Sequence, residues 1–101
     1  MAELATIARP YAEALFNTAS AGGPAQLELT AGWLDTLAAI AGDKRVLQYA
    51  GNPKVTDEQV FDVVAGLAPL PDAGRNFLRT VIQNNRLAAL PEVASQFRAR
   101  K

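Results

Sequence analysis

Apolar side chains recur every three to four residues along most of the chain, and glycine or proline interrupts each run. This spacing is typical of helices with one buried face, and the two-residue alternation of a strand is nowhere sustained. We predict helices over residues of about 7–20, 26–41, 43–50, 57–68, 73–84 and 91–101. Because the connections are short, neighbouring helices must pack on each other, which predicts a compact all-α, six-helix bundle forming a single domain over residues 1–101.

Three local signals mark the ends of these helices. Thr56 and Gln59 have the spacing of a capping box, in which each side chain bonds to the backbone of the other residue at a helix start. Asp72 is a favourable N-cap for the fifth helix. Asn84 and Asn85 end that helix, because asparagine tolerates the left-handed conformation better than most residues.

The first predicted helix carries more apolar surface than one side of a small bundle needs. One stripe contains Ile7, Tyr11, Ala14 and Thr18, and a second stripe beside it contains Ala8, Ala12, Leu15, Phe16 and Ala19. Together they span roughly 200° of the helix circumference, against about 100° for a helix that faces one core. Either the helix is sandwiched between several others, or Leu15 and Phe16 face the core while Tyr11 and Ala14 line a surface groove.

The fifth predicted helix shows a weaker form of the same excess. Phe77, Leu78, Val81 and Ile82 span roughly 140°, and Thr80 and Asn84 extend the edge of this face. Two helices with surplus apolar width would, if adjacent, form a trough for an amphipathic helix from another chain. Periodicity alone leaves their adjacency open.

The amino-acid composition excludes most kinds of catalytic site. The 101 residues include no cysteine and no histidine, which excludes disulfides, the usual zinc sites and imidazole acid–base catalysis. The acids Asp57, Glu58 and Asp62 lie near a helix start, where they complement the helix dipole. We therefore expect no enzyme activity, no catalytic residue, no cofactor and no metal.

No apolar run approaches the length of about 18 residues that a membrane-spanning helix requires, so we expect no direct membrane insertion. The first ten residues lack a signal-peptide pattern, which favours a chain facing the cytosol, and a bacterial source is the simpler reading.

Charge is unevenly distributed although the formal net charge is zero. The C-terminal part is basic, with Arg86, Arg98, Arg100 and Lys101, so the competing function class is a small helical nucleic-acid-binding domain that uses the basic C-terminal helix. Against it, no aromatic side chain is interleaved with these basic residues as a platform for stacked bases. A third class is a bundle that self-associates through its apolar faces.

Three segments in order, "ARPYAEALFNTA", "NPKVTDEQVFDVVAG" and "NFLRTVIQNNRLAALPEVASQF", resemble the delta subunit of F-type ATP synthase. Its mitochondrial counterpart is the oligomycin sensitivity conferring protein. The resemblance covers essentially the whole chain. It implies an N-terminal six-helix domain that sits on the catalytic head, at the cytoplasmic face of the bacterial plasma membrane, as a peripheral, non-catalytic stator subunit.

The resemblance also implies a partner and a site. In this family a groove between the first and fifth helices receives the amphipathic N-terminal helix of one alpha subunit. Carried onto this sequence, the groove residues are Ile7, Tyr11, Ala14, Thr18, Phe77, Thr80, Val81 and Asn84. No nucleic-acid partner is expected from the resemblance.

Two features depart from the family pattern. Family members continue into a further region that engages the b subunits of the peripheral stalk, whereas this sequence stops at Lys101, so the resemblance implies an N-terminal fragment. Asn85 stands where the family often has glycine, and asparagine still permits a left-handed turn.

Overall fold

Residues 3–100 are described by the structure, a computed structural model, and most of them are helical. Met1, Ala2 and Lys101 lie outside the described residues. Within residues 3–100 there are no strands, and the helices are α1 (Leu4–Ala21), α2 (Pro24–Ala41), α3 (Lys44–Ala50), α4 (Asp57–Leu67), α5 (Asp72–Gln83) and α6 (Leu90–Arg100). The predicted all-α, six-helix fold is confirmed.

The C-terminal helix α6 organises the core, because it packs against both α1 and α2. Its Phe97 is completely buried and meets Phe16 of α1 edge-on, with ring centroids 6.0 Å apart. Ala8 and Ala12 of α1 are also completely buried. Such small side chains let two helix axes approach closely. On the other side of the bundle α4 and α5 pack together.

The predicted capping box at the start of α4 is present. The Gln59 N–H donates to Thr56 Oγ1 over 3.1 Å, and the Thr56 N–H donates to Gln59 Oε1 over 2.9 Å. These two bonds satisfy backbone donors that an isolated helix start would leave without partners.

We predict that Thr56→Ala lowers the free energy of unfolding by about 1 kcal/mol, because α4 loses its cap. Thr36→Ala is the matched control, since the Thr36 hydroxyl donates only to the carbonyl of Gly32 in the middle of α2. Its effect should stay within about 0.5 kcal/mol. Urea unfolding followed by circular dichroism measures both, and equal losses would contradict the role of the cap.

Two helices begin earlier than their patterns predict. The first begins at Leu4 rather than Ile7, and the Gln96 amide of α6 donates to the carbonyl of Ala5 over 2.8 Å, a tertiary contact that supports this extra turn. The second begins at Pro24 rather than Gln26. Proline suits the first helical position because it has no N–H to leave unsatisfied there.

The N-cap prediction for α5 was wrong, while the prediction for its end is confirmed. Pro71 occupies the N-cap position, and Asp72 is the first helical residue. Asn85 is left-handed, with φ 58°, and its N–H donates to the carbonyl of Ile82. The Arg86 N–H donates to the carbonyl of Val81 over 2.9 Å. These two bonds form the Schellman motif that closes many helices.

A 3-10 turn, Leu87–Ala89, follows the Schellman motif and leads directly into α6. This last helix begins at Leu90, next to Pro91, which agrees with its predicted start. Leu87, Ala89 and Leu90 are buried, so the turn between α5 and α6 is packed into the core.

We predict that Asn85→Ala destabilises the protein by about 1 kcal/mol, because alanine pays the steric cost of the left-handed conformation. Asn85→Gly should leave the stability unchanged or raise it slightly, because glycine has no Cβ. Thermal unfolding of the two variants beside the unmodified protein measures the difference. Equal stability of the alanine and glycine variants would show that the turn is unimportant.

Candidate docking groove

An open groove of about 710 Å³ runs between α1 and α5. We call it the α1–α5 groove. Its lining consists of Thr6, Ile7, Pro10, Tyr11, Ala14, Leu15, Thr18, Ala73, Asn76, Phe77, Thr80, Asn84 and Arg86.

The groove exists because α1 and α5 bury their inner faces against different neighbours. The first packs on α6 and α2, and the second packs most extensively on α4. Tyr11 connects the two helices: its ring meets Phe77 edge-on at 6.2 Å between centroids, and its hydroxyl accepts a hydrogen bond of 2.9 Å from the Asn84 amide. The lips remain uncovered, since Ala14 and Thr80 are exposed.

Behind the groove, Phe77 lies between Tyr11 and Trp33 of α2, with its ring 5.8 Å from that of Trp33. Trp33 is 7% exposed, and its Nε1 has no hydrogen-bond partner within the described part of the chain. Gly74 permits this arrangement, because a Cβ there would lie 3.3 Å from both Trp33 Cδ2 and Leu70 Cδ2. The close packing of α5 on α2 therefore supports the rings of Phe77 and Tyr11, which form the aromatic floor of the groove.

The walls of the groove are more apolar than their residue types suggest. The Thr18 hydroxyl donates to the carbonyl of Ala14 over 3.0 Å, and the Thr80 hydroxyl donates to the carbonyl of Asn76 over 3.1 Å. With their hydroxyls bonded inside their own helices, both threonines can offer methyl groups to a visitor. Arg86 is the one charged residue among the lining residues that the structure describes.

Seven of the eight predicted groove residues line the α1–α5 groove: Ile7, Tyr11, Ala14, Thr18, Phe77, Thr80 and Asn84. The placement of Val81 in the groove was wrong. Val81 is only 1% exposed and belongs to the core. It follows Leu78 by three residues, so both side chains point inward from one face of α5.

Sequence reasoning missed the other lining residues: Thr6, Pro10, Leu15, Ala73, Asn76 and Arg86. Ala73 and Asn76 lie one turn before Phe77 and Thr80, so extending those two rows by four residues would have found them. Leu15 packs against the core as predicted and also borders the groove. Arg86 lies beyond the end of α5, where helical periodicity gives no signal.

Two of the basic C-terminal residues make intramolecular ion pairs. Arg98 pairs with Asp35 of α2, and Arg100 pairs with Glu13 of α1 at 3.2 Å. They tie α6 to its two neighbours, while Lys101, the last residue of the predicted basic tail, lies outside the described residues. Near the start of α4, Glu58 pairs with Arg79 at 3.0 Å.

From Glu3 to Arg100, no helix combines the length and the apolar character needed to cross a membrane. The same range contains no group of three acidic, cysteine or histidine residues placed to hold a metal ion.

The fold and the groove together define a class: a small helical bundle that leaves an apolar groove open between two of its helices. The family model described as ATP synthase delta (OSCP) subunit matches residues 7–101. The chain belongs to this family.

Its relatives agree with that assignment. The ATP synthase subunit delta of Polaromonas naphthalenivorans is 59% identical, with 100% of this chain and 57% of the relative aligned. The corresponding protein of Paracidovorax citrulli is 62% identical, over 98% of this chain and 56% of the relative. That of Leptothrix cholodnii is 50% identical, over 98% and 55%. The chain thus spans a little over half the length of these relatives.

Proposed function

We propose that this chain is a non-catalytic stator module of F-type ATP synthase, whose α1–α5 groove binds the amphipathic N-terminal helix of an alpha subunit. It would link the catalytic head to the peripheral stalk at the cytoplasmic face of the bacterial plasma membrane. The observation that carries this proposal is an open apolar groove between α1 and α5 in a member of the delta family. Contact with the b subunits is assigned to the further region that the longer relatives carry.

The dimensions and chemistry of the groove suit a helix. Its α1 wall runs from Thr6 to Thr18, a rise of about 18 Å, or three to four helical turns of a visitor. A visiting helix with apolar residues on one face would bury them against Ile7, Tyr11 and Phe77. Every buried methylene group contributes about 0.8 kcal/mol, so a few such anchors give substantial affinity.

A stator also has to keep hold of the head while the central shaft turns. Slow dissociation serves this purpose better than fast association, and differences in dissociation rate account for most affinity differences between related complexes. Apolar anchors seated in a central pocket are the contacts that slow dissociation. The aromatic floor of Tyr11 and Phe77, supported by Trp33, provides such a pocket.

The nucleic-acid alternative gains no support from the C-terminal helix. Arg98 and Arg100 are engaged with Asp35 and Glu13, so binding to phosphates would compete with these pairs. Salt separates the two functions, because affinity for nucleic acid falls steeply with added salt and apolar helix capture does not.

We predict that Ala14→Asp weakens binding of a peptide containing about the first 20 residues of the alpha subunit, a length of about 30 Å as a helix. The exposed wall residue would place a carboxylate against the apolar face of the visitor, and an unpaired buried charge is costly. The dissociation constant, measured by calorimetry, should rise at least about tenfold.

Ala39→Asp provides the matched control. Ala39 is exposed on α2 outside the groove, and the substitution has the same charge and helix propensity cost. Its affinity should equal that of the unmodified chain. Unchanged affinity of the Ala14→Asp variant, with helicity retained by circular dichroism, would overturn the groove assignment.

A further inference from the structure

Among the described lining residues of the α1–α5 groove, a single one is charged, Arg86, which lies just beyond the end of α5. The lining residues on α1 and α5 are all uncharged, and Arg86 follows the last turn of α5. A helix bound in the α1–α5 groove would therefore contact uncharged residues on α1 and α5 and one cation just beyond the end of α5.

The backbone that carries this cation is held in place. Asn85 in its left-handed conformation turns the chain, and the Arg86 N–H donates to the carbonyl of Val81, a core residue. Leu87, the next residue, is buried. An arginine anchored on both sides in this way keeps its Cα fixed, so only its side chain loses freedom on binding a partner.

Most other arginines of the described chain already have partners. Four pair with carboxylates, namely Arg45 with Asp43, Arg79 with Glu58, Arg98 with Asp35 and Arg100 with Glu13. Arg75 lies over the Phe61 ring, with its Cζ 5.4 Å from the ring centroid. Within residues 3–100, Arg86 has no ion pair and no side-chain hydrogen bond, although Asp and Glu are as numerous in the sequence as Lys and Arg.

We propose that Arg86 sets the direction in which the visiting helix lies, by pairing with a carboxylate side chain of that helix at the end of the groove beyond α5. This inference rests on the proposed function of the groove. A guanidinium offers a planar fork of donors that suits a carboxylate, and the pair can form only when the acidic residue lies at this end.

A charged residue is suited to set this direction because the lining residues on α1 and α5 carry no charge. An apolar stripe on a helix presents similar surface in either direction, and the hydroxyls of Thr18 and Thr80 are engaged within their own helices. A charge at one end, in contrast, distinguishes the two directions of the visitor. Electrostatic contacts of this kind contribute more to specificity and register than to total affinity.

A purely internal role for Arg86 gives a different expectation. Its charge would then only complement the negative C-terminal end of the α5 dipole. That role would change the stability of the chain on substitution and leave its peptide affinity untouched, so the two roles are separable by experiment.

The test is a double-mutant cycle on the 101-residue chain with the alpha-subunit N-terminal peptide, amidated at its C-terminus so that only side-chain carboxylates remain. Arg86→Gln should raise the dissociation constant about fivefold at low salt, near the upper end for an exposed ion pair. The loss should shrink in about 1 M salt, where the screening length is about 3 Å. Arg9→Gln, an exposed arginine on α1 that is outside the groove lining, is the matched control and should change little.

Each acidic residue of the peptide is then replaced in turn by glutamine. One replacement should cost about fivefold with the unmodified chain and nothing with Arg86→Gln, as expected for an exposed pair. Arg86→Lys should retain part of the coupling because it keeps the charge without the fork. Two results would overturn the role of Arg86 in setting direction. Either every acid replacement lowers the affinity by the same factor with the unmodified chain and with Arg86→Gln, or Arg9→Gln lowers the affinity as much as Arg86→Gln does. An unmodified chain that fails to bind the peptide would instead overturn the proposed function itself.

Discussion

The separation of α1 from α5 is the constraint on which the rest of the structure depends. Each helix buries its inner face elsewhere, α1 against α6 and α2, α5 mainly against α4. Tyr11 spans the space between them, through the Phe77 ring and the Asn84 amide. The surplus apolar width of the two helices is thus left at the surface, and a monomeric protein seldom exposes a contiguous apolar patch without a partner.

In this arrangement the residues that stabilise the bundle are largely different from those exposed in the groove. Completely buried residues such as Phe97, Leu34 and Ala12 hold the bundle together, and ion pairs of Arg98 and Arg100 fasten α6 at its outer end. The exposed groove residues, such as Ala14 and Thr18, contribute little to that core, whereas Tyr11, Leu15 and Phe77 also pack against it. Substitution at the exposed positions should leave the bundle folded, so affinity and stability can be varied separately there.

Much of this architecture was predictable from the sequence because it depends on local interactions. The capping box of Thr56 and Gln59 and the left-handed Asn85 involve residues close together in the chain, and both appear as expected. The double stripe of α1 left two interpretations open, and the structure agrees with the one in which Tyr11 and Ala14 line a groove. The sandwiched interpretation of α1 is wrong, because its outer stripe is uncovered.

What the sequence missed depends on contacts between distant segments. The early start of α1 is supported by the hydrogen bond from the Gln96 amide to the carbonyl of Ala5. The sequence around Leu4 gives no sign of this contact, because Gln96 lies far away in the chain. Val81 lies on the apolar arc of α5. How much of that arc is buried depends on the rotation of α5 against its neighbours, and the spacing of apolar residues does not determine this rotation. Arg86 reaches the groove through the turn after α5, where helical spacing no longer applies. The adjacency of α1 and α5 is itself a feature of the tertiary structure, which the pattern of either helix alone does not determine.

We propose above all that the α1–α5 groove is the surface on which the alpha-subunit helix docks. Titration of the nitrogen-15-labelled chain with the unlabelled alpha N-terminal peptide, followed by NMR, tests it most directly. We expect the largest shifts at the backbone amides of Ala14, Thr18, Phe77 and Thr80, with Ala39 and Ala99 unchanged. Shifts concentrated instead on the outer face of α4, around Val63 and Leu67, or on the last turn of α6 would contradict the account.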